Sequence, residues 1–333
     1  MISRRKVILA IGASALSLPM TRLAQAQPGP GVHRIGFLAV RSRSTPSNPD
    51  VRYDAFVKGM HALGYVEGKN LIIEWRFADD KYERLPSLAS ELVQANVEVI
   101  VTHATPPAKS LQQATRTIPI VAVALGDPVG NGFAASLARP GGNITGLSVI
   151  TGDVSLKHLE LLREVVPALS RVAVVANPDN ANHRAIMKNI RDAAQKVGVS
   201  TLSVEARDSA EIERGFAAMN RERAEGVLVI LEAIFTGQLK KIADLAIKYR
   251  LPAIYALPQF ADAGGLMSYG QNITDLFRHA AIYVDKILKG AKPSELPFEQ
   301  PTMLEMVVNR KTAKMLGLII PLSVLVRADR VVE

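Results

Sequence analysis

Ile118-Pro119-Ile120-Val121-Ala122-Val123-Ala124 is the stretch on which the fold turns. It is apolar at every position, so no period of two or of 3.6 sorts it into faces. It is also too short for a helix of ordinary length. A strand covered by helices on both sides reads this way. Upstream, helical patterns over Pro107–Thr115, Leu85–Ala95 and Val51–Leu63 (Phe56, Met60 and Leu63 on one face) alternate with short apolar runs. Those runs are Val97–Thr102, Leu71–Phe77 (period two) and Arg34–Val40. Strands separated by helices of this length signal βαβ units and a parallel sheet.

The unit recurs downstream. Helix Leu156–Val166, strand Arg171–Ala176, helix Ala181–Val197, strand Thr201–Val204, helix Glu211–Asn220, strand Gly226–Leu231, helix Gly237–Tyr249 and strand Pro252–Tyr255 follow in order. Between the two series lies the breaker cluster Arg139-Pro140-Gly141-Gly142-Asn143 and the strand Ile144–Val149. A second cluster, Ala263-Gly264-Gly265, precedes Leu266–Tyr269 and the helix Thr274–Leu288. The tail, punctuated by Pro293, Pro297 and Pro301, returns through a strand (Leu304–Val308) and a helix (Lys311–Leu316). The reading is α/β: two similar lobes, each a parallel sheet flanked by helices, joined by several strand-end links. Such links suit a hinge, because a few residues at element ends absorb the rotation of domain closure.

The chain opens on an address label. Arg4, Arg5 and Lys6 form a basic start, Val7–Leu18 is uncharged but too short to span a bilayer, and Ala24-Gln25-Ala26 offers a cleavage site. Export by the Sec or the twin-arginine route is expected, with the mature chain starting at Gln27. The formal charge of +9 loses the four basic groups Arg4, Arg5, Lys6 and Arg22 on cleavage, leaving +5. Without a basic stripe interleaved with aromatics, that excludes nucleic acid as a partner. There are no cysteines, so the fold uses neither disulfide nor thiolate metal site. The six histidines (33, 61, 103, 158, 183 and 279) lack the i, i+4 pairing of a helical metal site. No nucleophile elbow, phosphate loop or zinc motif is present, so neither an enzyme nor a cofactor is expected.

Open parallel sheets bind ligands in the loops beyond the carboxyl ends of their strands. In the first series these loops hold Ser42 and Ser44, then His103, Ala104 and Thr105, then Gly126 and Asp127. A helix opening near Thr105 would point free N–H groups at a carboxylate. Asp127 reads equally as a partner for an ammonium and as a turn residue before Pro128. The second series offers Asn177, Asn180 and Asn182 beyond Arg171–Ala176, then Glu232. Tyr269 at the return crossing would stack on a ring or serve the hinge.

Several longer motifs add a resemblance. Gly64-Tyr65-Val66-Glu67-Gly68-Lys69-Asn70, Gly126-Asp127-Pro128-Val129-Gly130, Ser136–Gly146 (SLARPGGNITG), Gly264–Gly270 (GGLMSYG), Tyr283–Gly290 (YVDKILKG), Leu296–Pro301 (LPFEQP) and Arg327-Ala328-Asp329-Arg330 resemble the ABC transporter substrate-binding family whose characterised branch handles tryptophan and tyrosine. The similarity runs from about Arg34 to the C-terminus. It implies a type I periplasmic-binding-protein fold with residues 27–147 plus 273–312 in one lobe and 148–272 plus 313–333 in the other. It also implies a periplasmic monomer that hands a small polar or aromatic solute, an amino acid or related acid, to an ABC permease and its ATPase at the inner membrane. His103-Ala104-Thr105-Pro106 stands where the family carries Gly-Thr-Pro. A ligand-sensing subunit serving a receptor, and an exported enzyme, are the alternative readings.

Overall fold

The computed structural model describes residues 31–43, 50–300 and 303–333. The export signal, its cleavage site and Ser44 lie outside the described residues. The first sheet is built by β1 (His33–Ala39), α1 (Val51–Ala62), β2 (Leu71–Phe77), α2 (Leu85–Gln94), β3 (Val99–His103), α3 (Thr105–Ala114), β4 (Ile120–Gly126) and β5 (Ile144–Val149). Its strands run in the order β2-β1-β3-β4-β5, all parallel. The deciding run became β4, which starts and ends two residues later than the sequence suggested. Its neighbours β3 and β5 are buried along their whole length, as a sheet covered on both faces requires.

The second sheet takes up the chain after α4 (Thr151–Val165). It comprises β6 (Arg171–Ala176), α5 (Ala181–Lys196), β7 (Ser200–Glu205), α6 (Ser209–Arg221), β8 (Gly226–Val229), α7 (Ala233–Thr236), α8 (Leu239–Lys248), β9 (Ala253–Tyr255), α9 (Pro258–Asp262) and β10 (Met267–Gly270). After α10 (Ile273–Leu288), the chain adds β11 (Glu305–Asn309), α11 (Arg310–Leu316), α12 (Leu322–Arg327) and β12 (Arg330–Val332). The order is β12-β11-β10-β9-β8-β6-β7, with only the β10–β11 pair antiparallel.

One expected assignment changes. The tail strand was placed with the first lobe as part of 273–312, but Glu305–Asn309 is hydrogen-bonded to β10 in the second sheet, Met267 opposite Val308. The chain visits the first lobe between these strands: α10 packs along α1, and residues 298–299 run beside β5, where Leu147 bridges Glu299. It therefore crosses between sheets after β5, after β10 and again before β11. The three links make the multi-strand joint that two hinged lobes need.

The lobes meet through apolar surface. One buried cluster contains Phe37, Tyr53, Val149 and Phe277 from the first side and Ile234, Phe235 and Leu257 from the second. Gly126 shows how close the approach is: a Cβ there would stand 2.2 Å from Asn182 Nδ2 across the cleft. At β10, Gly270 is needed for the same reason, since a Cβ would meet the Ala256 carbonyl oxygen at 1.9 Å. Backbone that tight admits no side chain.

Candidate functional site

Both sheets aim the carboxyl ends of their strands at the plane between the lobes, and a cavity opens there. Its first wall carries His103, Ala104, Thr105, Ala124 and Gly126 from the ends of β3 and β4, with Arg52 from α1. Its second carries Asn180, Asn182, Leu231, Glu232, Ala233, Thr236 and Leu257, while Val149, Ile273 and Phe277 line the joint. Ala104 (φ 66°) and Ala124 (φ 54°) adopt left-handed backbone that costs a non-glycine residue of order 1–3 kcal/mol. Strain at two cavity-lining positions, on adjacent strands, marks the site as something the fold holds in place.

Arg52 is the cation that lines the cavity. Asp50 caps the N-terminus of α1 and accepts from Arg52 Nε (2.9 Å), Arg52 Nη2 (2.7 Å) and Arg41 Nη1 (3.0 Å). Burial alone would raise the Asp50 pKa, but the two guanidiniums outweigh it and hold it at about 2. Two cations thus share one carboxylate. Arg52 Nη1 then reaches across the cleft to Thr236 Oγ1 at 2.8 Å. A guanidinium has five N–H donors, and these bonds use three of them. Two remain for a ligand.

On the opposite wall, Glu232 is held by its own lobe and by the other one. Oε1 accepts from the Ala233 N–H (2.9 Å) and from the Tyr82 hydroxyl of the first lobe; Oε2 accepts from Asn180 Nδ2 (2.8 Å) and lies 3.3 Å from His183 Nε2. His183 Nδ1 accepts the Asn177 N–H at 3.0 Å, which puts the ring proton on Nε2. Tyr82, buried beside this carboxylate, has its pKa pushed well up by burial and then by Glu232, so the phenol keeps its proton and donates it. Replacing Tyr82 by Phe removes a buried charge-assisted bond between lobes, worth about 1.5–3 kcal/mol. The expected result is a ligand Kd roughly ten- to a hundredfold weaker, carried by faster dissociation in stopped-flow measurements, with little change in the Tm of the free protein.

His103 is fully buried against Tyr53, whose hydroxyl lies 3.3 Å from Nε2, and edge-on to Phe277 at 5.5 Å. Burial lowers its pKa to about 3, so it faces the cavity as a neutral aromatic surface. Asp80, at the outer part of the cleft, has the reverse problem. Its Oδ1 is buried without a hydrogen-bond partner, and burial raises its pKa to about 6 despite Arg41 and Arg52 nearby. Because the folded-state value lies above the unfolded one, the folded chain holds the proton more tightly. The cost is absent below about pH 4 and grows as pH rises through 6. Asp80 has φ 60°, which Asn tolerates. Asp80→Asn is therefore expected to raise stability at pH 7.5 by about 1–2 kcal/mol, reduced from the full shift because the group is partly exposed, with no gain at pH 4. Thermal melts at the two pH values check this.

Among the expected site residues, the structure brings His103, Ala104, Thr105, Gly126, Asn180, Asn182 and Glu232 together around one cavity. The others stand elsewhere. Ser42 is exposed, away from the lining. Asp127 is exposed and accepts the Gly130 N–H at 2.8 Å, the turn role rather than the ammonium role. Asn177 is buried behind the wall, where its Oδ1 caps Asp179 N at 3.0 Å. Tyr269 lies in β10 against the second lobe's core, its carbonyl accepting from His158 at 2.6 Å. The helix after β3 begins at Thr105, not Pro107, so Pro106 and Pro107 occupy the turn that was to supply N–H groups. Proline has none to give. What remains there is the Thr105 N–H and hydroxyl.

Arg52, Thr236 and Phe277 were missed. Arg52 had a legible signal: a cation in the first turn of a helix opposes the macrodipole and needs a reason to be there. Phe277 had none, since on an amphipathic helix it reads as core. Among the described residues no group of three or more His, Asp or Glu side chains could hold a metal ion, and no helix is long and apolar enough to cross a membrane.

Comparison with known proteins gives consistent matches. A family model described as ABC transporter substrate binding protein matches residues 44–332. A tyrosine-binding protein of Clostridioides difficile (strain R20291) is 25% identical over 264 residues, covering 79% of this chain and 75% of that one. Among solved structures, the ABC domain in complex with L-Trp from Streptococcus pneumoniae superposes with a TM-score of 0.81 at 24% identity, over 90% of this chain and 99% of the other. The ligand-free, open structure of a substrate binding protein with adhesive properties from Clostridium difficile gives 0.62 at 25% identity, over 91% and 99%.

Proposed function

The chain belongs to the ABC transporter substrate-binding protein family, and from that premise we propose that it is the periplasmic capture component of an importer. It takes up a small solute with an apolar or aromatic body and a carboxylate, an amino acid or related acid, and presents it to a permease and its ATPase. The observation that carries this reading is the pairing inside one cavity of apolar walls (Phe277, Leu257, Ile273, Val149 and the neutral His103 ring) with a buried guanidinium that keeps two donors free. A solute buried there loses its water on both faces. The apolar body gains by desolvation, and the carboxylate gains a charge-assisted pair in a low-dielectric setting.

Support comes also from the bonds across the cleft. Arg52 touches both the cavity and Thr236 of the far lobe, so a ligand on Arg52 strengthens the contact that keeps the lobes together. Lobes that close on the solute expose one composite surface, which a permease reads as the loaded state. Isothermal titration of the purified mature protein against amino acids and aryl or alkyl carboxylates tests the reading. At least one ligand is expected with a Kd under 100 μM, about −5.5 kcal/mol. Silence across the whole panel overturns it.

The charge of Asp80 adds a pH dependence. Ionised, it repels a carboxylate entering the cleft; protonated, it does not. The affinity for an acid ligand should rise as pH falls from 8 through about 6, while the ligand itself stays ionised. Asp80→Asn should flatten that profile in titrations at pH 5.5, 6.5 and 8.

A further inference from the structure

Of the polar groups that the described residues leave free in the cavity, the one that carries a formal charge is a cation. Arg52 keeps two N–H groups, and neither the Thr105 hydroxyl nor the Asn182 amide is engaged by another protein group among the described residues. An α-ammonium needs the opposite, a carboxylate with an open face. Three carboxylates stand within reach of the two walls, and none offers one. Glu232 already accepts from Tyr82, Ala233 and Asn180, His183 Nε2 (bonded to the Leu231 carbonyl at 3.1 Å) stands 3.3 Å from its Oε2, and its side chain is 0% exposed. Asp50 is covered by Arg41 and Arg52 and is 4% exposed. Asp127 points away into its turn with Gly130. Asp80 does keep an unpartnered oxygen, but it lines the outer part of the cleft and not this cavity.

We propose that the cavity takes a monocarboxylate with an apolar or aromatic body and no α-ammonium group, in preference to the amino acid of the same skeleton. The inference rests on the capture reading above and narrows its ligand class. The carboxylate seats on Arg52 and Thr105, the body lies against Phe277, His103 and Leu257, and the α-carbon faces a wall that carries no counter-charge. An amino acid placed there must either leave its cation with only the neutral oxygens of Thr105 and Asn182 and no counter-charge, or break bonds that Glu232 makes to both lobes. Burying an unpaired charge is the costlier arrangement by a wide margin.

The test uses pairs that differ only at that group. Titrate the purified protein with 3-phenylpropanoate and L-phenylalanine, and with indole-3-propanoate and L-tryptophan, adding 3-phenylpropanamide as the uncharged analogue. The acid of each pair is expected to bind at least thirtyfold tighter than its amino acid, and the amide to bind as weakly as the amino acid or worse. An amino acid that binds as tightly as its acid overturns this inference and leaves the capture reading standing. Failure of every compound to bind at 1 mM removes both.

Discussion

Asp50→Asn is expected to destabilise the protein by about 3–5 kcal/mol, the largest single effect outside the hydrophobic core. The variant keeps the shape of the side chain and its capping oxygen, but it turns an amide NH2 toward the Arg41 and Arg52 donors that Oδ2 accepts, so the loss combines the charge with two hydrogen bonds. Asp50 is buried between Arg41 and Arg52 and binds both. Removing the shared partner of a buried pair strands the remaining charge, and here it strands two. The same carboxylate sets an acid limit. Its folded-state pKa lies near 2, below the unfolded value, so its contribution is complete above about pH 4 and is lost as pH falls toward 2. Urea unfolding at pH 7 and pH 2.5 checks both statements: the gap between wild type and Asp50→Asn should be wide at the first and narrower by about 1–2 kcal/mol at the second.

Arg52→Met is expected to weaken binding of a carboxylate ligand by two orders of magnitude or more, within the roughly 2–5 kcal/mol range for truncating one partner of a buried charged pair. Methionine fills much of the same volume, and Asp50 keeps Arg41, so the fold should persist. The loss should appear in dissociation rate, since Arg52 also makes the bond to Thr236 that ties the lobes. Titration beside a urea melt separates the two effects. A variant that melts like wild type and binds unchanged would mean that the carboxylate sits elsewhere.

The legibility of this fold follows from how strands and helices carry their patterns. Strands β2, β5 and β6 end where the sequence placed them, because apolar runs bounded by breakers leave little freedom. Helices α7, α9 and α12 were not foreseen. At four, five and six residues they are too short to show a period, and they lie in segments rich in Pro, Gly or Ala. The tail strand could be recognised as a strand but not assigned to a sheet, since pairing with β10 is a long-range choice that no local pattern records.

The site was legible in part for similar reasons. Loops at strand ends can be located from the strand pattern, and His103, Thr105, Gly126, Asn180, Asn182 and Glu232 stood in them. What a side chain is free to do is another matter. Whether Glu232 meets a ligand depends on Tyr82, which lies 150 residues away and in the other lobe. Whether Asp127 does depends on the turn that takes up its oxygen. Sequence displays the donors and acceptors; only the fold shows which are already spent.

Backbone hydrogen exchange, with and without 3-phenylpropanoate, probes the cleft most directly. Slowed exchange is expected together at Arg52–Phe56, at Thr105 and Ala108, and at Asn182 and Ala233–Thr236, segments that belong to different lobes and meet around the cavity. Protection confined to one lobe, or found on a surface away from Arg52 while these segments exchange as before, would contradict the account.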